Sequence, residues 1–264
     1  QETMLSQLEW WIKEKNIDGY RMDIAFGVPM DFWLKAKKRL YSIKPIFMLA
    51  ESEEAAHRNE EVFHATYGWN LFHCMNDIAK GKKTVQDFQN IHSENNTKFK
   101  KGNTLLFTSN HDENAWSGTT FERLGDSREG WAAVMALLDG IPMIYSGMEK
   151  PMEKRLKFFE KDTINFNQLS YQNFYKDLFE IKKEHKALWN FPYGGELTWL
   201  NTGHPEVLGF SRSVGDNKVS VFFNTAYGQR EVISPEIRGE ILISNLVTTN
   251  PTLFHDFTYK VILN

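Results

Sequence analysis

The segment YRMDIA (residues 20–25) decides the fold. It is a short apolar run with Arg21 and Asp23 at alternate positions, so both side chains leave one face of a strand. Before it, Leu5, Leu8, Trp11 and Ile12 recur at helical spacing in residues 3–16, and Asp18-Gly19 closes that helix. After it, VPMDFWLKAKKRLYSI (28–43) reads as a second helix, closed before Pro45. A strand then follows at PIFMLAES (45–52).

The alternation continues along the chain. EEAAHRNEEVFHA (53–65) is polar with helical spacing, and TYGWNL (66–71) reads as a third strand or its loop. KTVQDFQNIHSEN (83–95) is helical, and TLLFTSNHDEN (104–114) is a strand ending in a polar cluster. DSREGWAAVMALLDG (126–140) is a helix with a capping-box-like start and a glycine stop. IPMIYSG (141–147) is the last strand of the series, and residues 169–189 form a long amphipathic helix. Strands alternating with helices imply a parallel sheet with crossover helices. The expected fold class is α/β: about five strands of a (β/α)8 barrel, which takes eight strands and on the order of 250 residues. Gln1 falls inside what reads as a helix, so the remaining strands are expected upstream of it.

After Phe191-Pro192 the texture changes to short alternating runs rich in β-branched and aromatic residues, split by turn signals such as VGDNK (214–218). The expected organisation is a partial catalytic barrel over 1–191 and an all-β antiparallel sandwich over 192–264.

Composition narrows the function. Of 264 residues, 41% are hydrophobic and 25% charged, an ordinary globular balance. The formal net charge of -3 supplies no basic field for nucleic acid, so a neutral or small partner is expected. No apolar run is long enough to span a membrane. The single cysteine, Cys74, allows no internal disulfide and reads as a buried small hydrophobe. His57 and His64 flank Glu60 and Glu61 at a spacing too wide for metal binding, and read as a solvated helix face. KAKKR (35–39) and KGKK (80–83) also read as solvated faces. Aromatic residues make up 14% of the chain, enough for both core filling and stacking on the apolar faces of sugar rings.

In parallel α/β folds functional groups gather at the carboxyl ends of strands. Here those ends deliver Asp23, Glu51 and the cluster Asn110-His111-Asp112. A charge in an apolar strand is costly unless paired. Arg21 beside Asp23 keeps a carboxylate ionised, which suits a nucleophile. Glu51 follows IFMLA, and apolar surroundings suit a general acid. Each feature alone could be an ion pair, a solvated strand-end acid or an Asx-capped turn. In this order, each at a strand terminus, they read together as the carboxylates of a glycosidase.

Those residues also resemble a known family. GYRMDIA (19–25), FMLAE (47–51) and FTSNHDEN (107–114) resemble the segments of glycoside hydrolase family 13, the α-amylase family, that carry its nucleophile, acid/base and transition-state stabiliser. Residues 141–166 resemble its last barrel strand and following loop, and the β tail resembles its C-terminal domain. The resemblance implies catalytic roles for Asp23, Glu51 and Asp112. It implies substrate contacts for Arg21, Asn110 and His111, with Tyr67, Trp69 and Trp116 as candidate stacking residues. It implies retaining hydrolysis of α-1,4-glucosidic bonds in starch or maltodextrins, or the related glucanotransferase or maltodextrin glucosidase chemistry. A carbohydrate-binding protein without activity is the alternative of another class, and this chain by itself is expected to show little turnover. Phe26 and Gly27 stand where many amylases have a Lys-His pair. No cofactor is implied; the family's structural calcium draws on a region without counterpart here. A secreted or periplasmic location fits the resemblance better than a cytoplasmic one.

Overall fold

The computed structural model describes residues 1–150 and 152–264. Its first part alternates as α1 (Glu2–Lys15), β1 (Gly19–Met22), α2 (Met30–Tyr41), β2 (Phe47–Ala50), α3 (Ala55–Asn59) and β3 (Ala65–Tyr67). Next come α4 (Trp69–Ala79), α5 (Val85–Lys98), β4 (Asn103–Leu106), α6 (His111–Trp116), α7 (Thr120–Leu124), α8 (Arg128–Leu137), β5 (Ile141–Pro142) and α9 (Gln172–Glu184). The strand order is β1-β2-β3-β4-β5, and the first three pairs are parallel. The α/β reading of the first part therefore holds, as a partial barrel sheet.

The rest is antiparallel: β6 (Glu196–Trp199), β7 (Val207–Val214), β8 (Asn217–Asn224), β9 (Arg230–Glu231), β10 (Glu240–Ser244), β11 (Leu253–Phe254) and β12 (Tyr259–Leu263). Five of these form a sheet ordered β10-β12-β8-β7-β6, while β9 and β11 make a two-stranded ribbon. Val207, Phe222 and Ile262 from the sheet share a core with Val232, Ile237 and Phe254. The second layer is thus a ribbon with flanking turns rather than a full sheet. No helix among the described residues is long and apolar enough to cross a membrane.

Packing groups the residues into two units, one of 1–69 with 94–105 and one of 70–93 with 106–264. In the first, α1 buries Leu5, Leu8 and Ile12, and α2 buries Phe32, Trp33, Ala36 and Leu40. Trp11, placed on the apolar stripe by spacing, is exposed. Asn16, in the left-handed region, ends α1 ahead of Asp18-Gly19. Gly19 serves the sheet instead: a Cβ there would lie 1.9 Å from the Phe47 carbonyl oxygen.

Helix α4 begins at Trp69, inside the stretch 66–71 expected as strand or loop. Leu71, Phe72, Met75 and Ile78 are buried at helical spacing, and Cys74 is fully buried, its thiol pushed up to about 11 by desolvation. The capping box lies one helix earlier than expected. Thr119 and Glu122 cap α7, whereas the Ser127 hydroxyl before α8 donates to the Leu124 carbonyl. Helix α8 is buried along its length because Trp131 packs between Phe88 and Phe223, with ring centroids 5.4 and 5.3 Å away.

Lys182 on α9 is buried and donates to the Leu188 carbonyl at 2.9 Å. Desolvation, then the nearby Arg212 charge, lowers its pKa from 10.5 to about 7. Between about pH 7 and 10.5 the unfolded chain holds a proton that the folded chain lacks, so folding stability rises with pH across that window. Thermal unfolding followed by circular dichroism should therefore show a midpoint that climbs between pH 7 and 9. Lys182→Met should flatten that slope; an unchanged slope would show that Lys182 is not its source.

Candidate active site

In the first unit, β1 and β2 run in parallel register with Met22 opposite Ala50. The next residues, Asp23 and Glu51, therefore emerge side by side at adjacent strand ends. The backbone continues the pairing: Glu51 N–H donates to the Met22 carbonyl at 3.0 Å, and Ala25 N–H to the Glu51 carbonyl at 3.2 Å. Ile24 sits at φ 44°, in the left-handed region. That costs a β-branched residue about 1–3 kcal/mol. The conformation directs Ile24 N–H onto Glu51 Oε2 at 2.9 Å.

Arg21 ties the group together. Its Nη1 pairs with Asp23 Oδ1, and Nε donates to the Tyr67 hydroxyl at 3.1 Å. Nη2 lies 3.0 Å from Glu51 Oε2, an ion pair without hydrogen-bond alignment. Burial opposes the Arg21 charge, but the bonds to Tyr67 and Asp23 outweigh it and hold the guanidinium above the usual arginine range. The Asp23 side chain is 72% exposed and that of Glu51 14%. The expectation of apolar surroundings for Glu51 needs correction, because Oε2 takes both an ion pair and a backbone N–H.

Tyr67 is buried and spends its hydroxyl on Arg21, so it positions that arginine rather than offering an open face. Trp69, half-buried, stacks on Tyr67 at 5.4 Å. Two openings flank the strand ends. One of about 430 Å³ has Leu8, Met22, Phe32 and Trp33 in its wall beside Asp23. The other, about 360 Å³, is lined by Phe26, Met30, Glu54 and His57.

The two histidines expected on a solvated helix face are packed instead. His57 is buried and its Nδ1 is 2.8 Å from Ser52 Oγ. His64 lies beyond α3, where Nδ1 accepts from Met48 N–H and Nε2 meets the Tyr41 hydroxyl at 2.7 Å. No cluster of three or more His, Cys, Asp or Glu side chains suited to a metal occurs among the described residues.

Strand β4 stops at Leu106, so Asp112, in the second unit, is not a strand-end residue. It lies in the first turn of α6, capped by the buried Asn110, whose Oδ1 accepts from Asp112 N–H at 3.0 Å and Glu113 N–H at 2.8 Å. Asn110 Nδ2 is buried without a partner. His111 Nε2 lies 3.4 Å from Asp112 Oδ2. Arg123 shapes the approach to this turn. It is buried, lowered to about 10 by desolvation, and donates to Thr108 O, Gly118 O and Asn76 Oδ1 at 2.7–2.8 Å. Sequence reading passed over it, since two of its partners, Thr108 and Asn76, lie 15 and 47 positions away. Trp116, on the same short helix, is exposed.

No family model matches the chain. It is similar to a cyclomaltodextrinase of Thermoanaerobacter pseudethanolicus, 26% identical over 261 residues, covering 91% of this chain and 43% of that protein. It is 25% identical over 278 residues to an intracellular maltogenic amylase of Bacillus subtilis, covering 97% and 45%. The chain thus spans less than half the length of these relatives. Among solved structures it resembles a noncanonic maltogenic α-amylase of Thermotoga neapolitana, with a TM-score of 0.79 at 19% identity, covering 100% of this chain and 63% of that one. An α-amylase of Geobacillus thermoleovorans complexed with acarbose gives a TM-score of 0.78 at 19% identity, covering 99% and 63%.

Proposed function

Because the chain belongs to the α-amylase family of glycoside hydrolases, we propose that it carries the machinery for retaining cleavage of α-1,4-glucosidic bonds in starch or maltodextrins. The observation that carries this reading is the Arg21 guanidinium, which touches both Asp23 and Glu51. Contact with one guanidinium brings the two carboxylates near each other, the arrangement a retaining glycosidase needs.

In the first step an Asp23 oxygen attacks the anomeric carbon while Glu51 gives its proton to the departing glycosidic oxygen. In the second, Glu51 takes a proton from water, the water oxygen attacks the same carbon, and the bond to Asp23 breaks. Arg21 keeps Asp23 anionic and aligned. On the second unit, Asp112, His111 and Asn110 offer polar groups for sugar hydroxyls. Trp69 and Trp116 offer faces for stacking. Two inversions give net retention, so proton NMR during maltoheptaose cleavage should show the α-anomer accumulating first. Initial β-anomer would exclude this mechanism.

Phe26, exposed on the second opening, favours a related reading. An aromatic face on that side suits a sugar acceptor, hence glucanotransferase chemistry beside hydrolysis. Products longer than the substrate would identify it. We assign residues 1–191 to the closing strands of a (β/α)8 barrel and 192–264 to a β-sandwich domain; the change from alternating to all-β elements after α9 supports that division.

A further inference from the structure

Asp23 and Glu51 stand on separate loops of the first unit, one after β1 and one after β2. On their open side Arg21 joins them. On the side facing the core, a second connection runs between the same loops through buried side chains. Trp33 of α2 donates from Nε1 to the Ala25 carbonyl at 3.0 Å. Its indole meets the Phe63 ring edge-on, with centroids 5.3 Å apart at 75°. Phe63 in turn meets the His57 imidazole of α3 edge-on, at 5.2 Å and 68°. His57 Nδ1 lies 2.8 Å from Ser52 Oγ, and Ser52 follows Glu51 in the chain. Ala25 N–H closes the circuit by donating to the Glu51 carbonyl at 3.2 Å. Trp33, Phe63, His57 and Ser52 are all buried, none more than 4% exposed.

Packing alone does not account for these residue types. A buried indole N–H, imidazole or hydroxyl loses its hydration and needs a partner, a cost that leucine or phenylalanine in the same space would not carry. The partners here are Ala25, two residues after Asp23, and Ser52, one residue after Glu51. The Ser52 oxygen accepts from Glu54 N–H at 3.0 Å, and its own proton finds an acceptor in Nδ1 of a neutral imidazole. Burial lowers the His57 pKa and so favours that neutral form, with the Glu54 charge opposing more weakly. Phe63 is fixed between the two polar ends by its own N–H, which donates to the His57 carbonyl at 2.9 Å. Buried polar groups whose bonds are made rigidify a core and specify one arrangement of it.

We propose that Trp33, Phe63, His57 and Ser52 are positioning residues that lock the Asp23 loop to the Glu51 loop from behind and so hold the separation of the two carboxylates. Their importance for catalysis rests on the glycosidase reading above; the lock itself rests on the contacts. A misplacement of about 1 Å can cost on the order of 10²-fold in rate, so a second brace behind the carboxylates serves the chemistry. Ile24 N–H, which donates to Glu51 Oε2 at 2.9 Å, reports whether the lock holds, because it joins the backbone of one loop to the carboxylate of the other.

Amide hydrogen exchange of the full chain, resolved by NMR, tests this and needs no turnover. Ser52→Ala, His57→Ala and Trp33→Phe should each speed exchange at Ile24 and Ala25 about tenfold or more, since each removes one bond of the circuit. The Phe47 and Asn103 amides, bonded to the Asp18 and His64 carbonyls at the opposite strand ends, should keep the parent's rates. His57→Asn should restore slow exchange, because its side-chain oxygen can accept from Ser52 as Nδ1 does. Combining Ser52→Ala with Trp33→Phe should give no more than the larger single effect, since a circuit broken once is already open. Parent-like exchange at Ile24 and Ala25 in the single variants overturns the lock. So does a double variant in which the two effects multiply, for the contacts would then be independent. Equal acceleration at Phe47 and Asn103 also overturns it, because the four residues would then support only the stability of the unit. Turnover by Asp23→Asn at the parent's rate would instead remove the chemical roles of the carboxylates and leave the lock standing.

Discussion

Relative to whatever turnover the parent chain shows on maltoheptaose, Asp23→Asn is expected to lower kcat/KM by at least about 10³-fold, a loss of about 4 kcal/mol of transition-state stabilisation. The amide matches the carboxylate in shape but cannot form the glycosyl ester, and its NH₂ group meets the Arg21 Nη1 donor that now pairs with Asp23. Glu51→Gln should cost roughly 10²–10⁴-fold, the usual scale for a general acid–base. The two losses differ in kind. A substrate such as α-glucosyl fluoride, whose leaving group needs no proton, should restore the first step in Glu51→Gln and leave Asp23→Asn silent. Steady-state kinetics with both substrates tests the pair. Near-parent activity of Asp23→Asn on maltoheptaose, or equal rescue of both variants by the fluoride, would reverse or remove the roles assigned to them.

Trp131→Ala is expected to produce the largest loss of stability, about 3–5 kcal/mol. Trp131 is fully buried on α8 and contacts Phe88 on one side and Phe223 of β8 on the other. Gly130 beside it leaves no room to compensate, since a Cβ there would lie 2.0 Å from the Phe223 ring. The truncation opens a cavity where a helix of the α/β part meets a strand of the antiparallel sheet. At this chain length the melting midpoint should fall by on the order of 10 °C. Trp131→Phe should lose far less, because the indole Nε1 is buried without a partner and its removal relieves a cost already present. Calorimetry of the two variants decides: equal midpoints would mean that ring volume at this position does not hold the unit together.

How much of this was legible in the sequence follows from the range of the interactions involved. Alternation of period 2 and period 3.6 is local, so the parallel strands, most crossover helices and the change to antiparallel strands after α9 could be read directly. Asp23 and Glu51 were legible for a related reason: a charge at the end of a short apolar strand is conspicuous, and their strands are neighbours in sequence and in the sheet. The four-residue strands here carry little signal of their own length, and there the reading slipped. Residues 66–71 were given to strand or loop although α4 begins at Trp69, and β4 was extended over what is the first turn of α6.

The sequence alone determined the α/β alternation, the all-β tail and the carboxylates worth examining. Only the tertiary structure decided what each side chain spends its polar groups on. Tyr67 looked like a stacking residue, and its hydroxyl holds Arg21 from 46 positions away. Arg123 carried no local sign of purpose, and it ties Thr108 and Asn76 together at separations of 15 and 47. Phe158 and Phe159 carried no local signal, and Arg155, Asn114 and Asp162 fix their loop with the rings in water. A buried donor or acceptor must be satisfied wherever its partner lies in the chain, and that distance along the chain is what periodicity cannot encode.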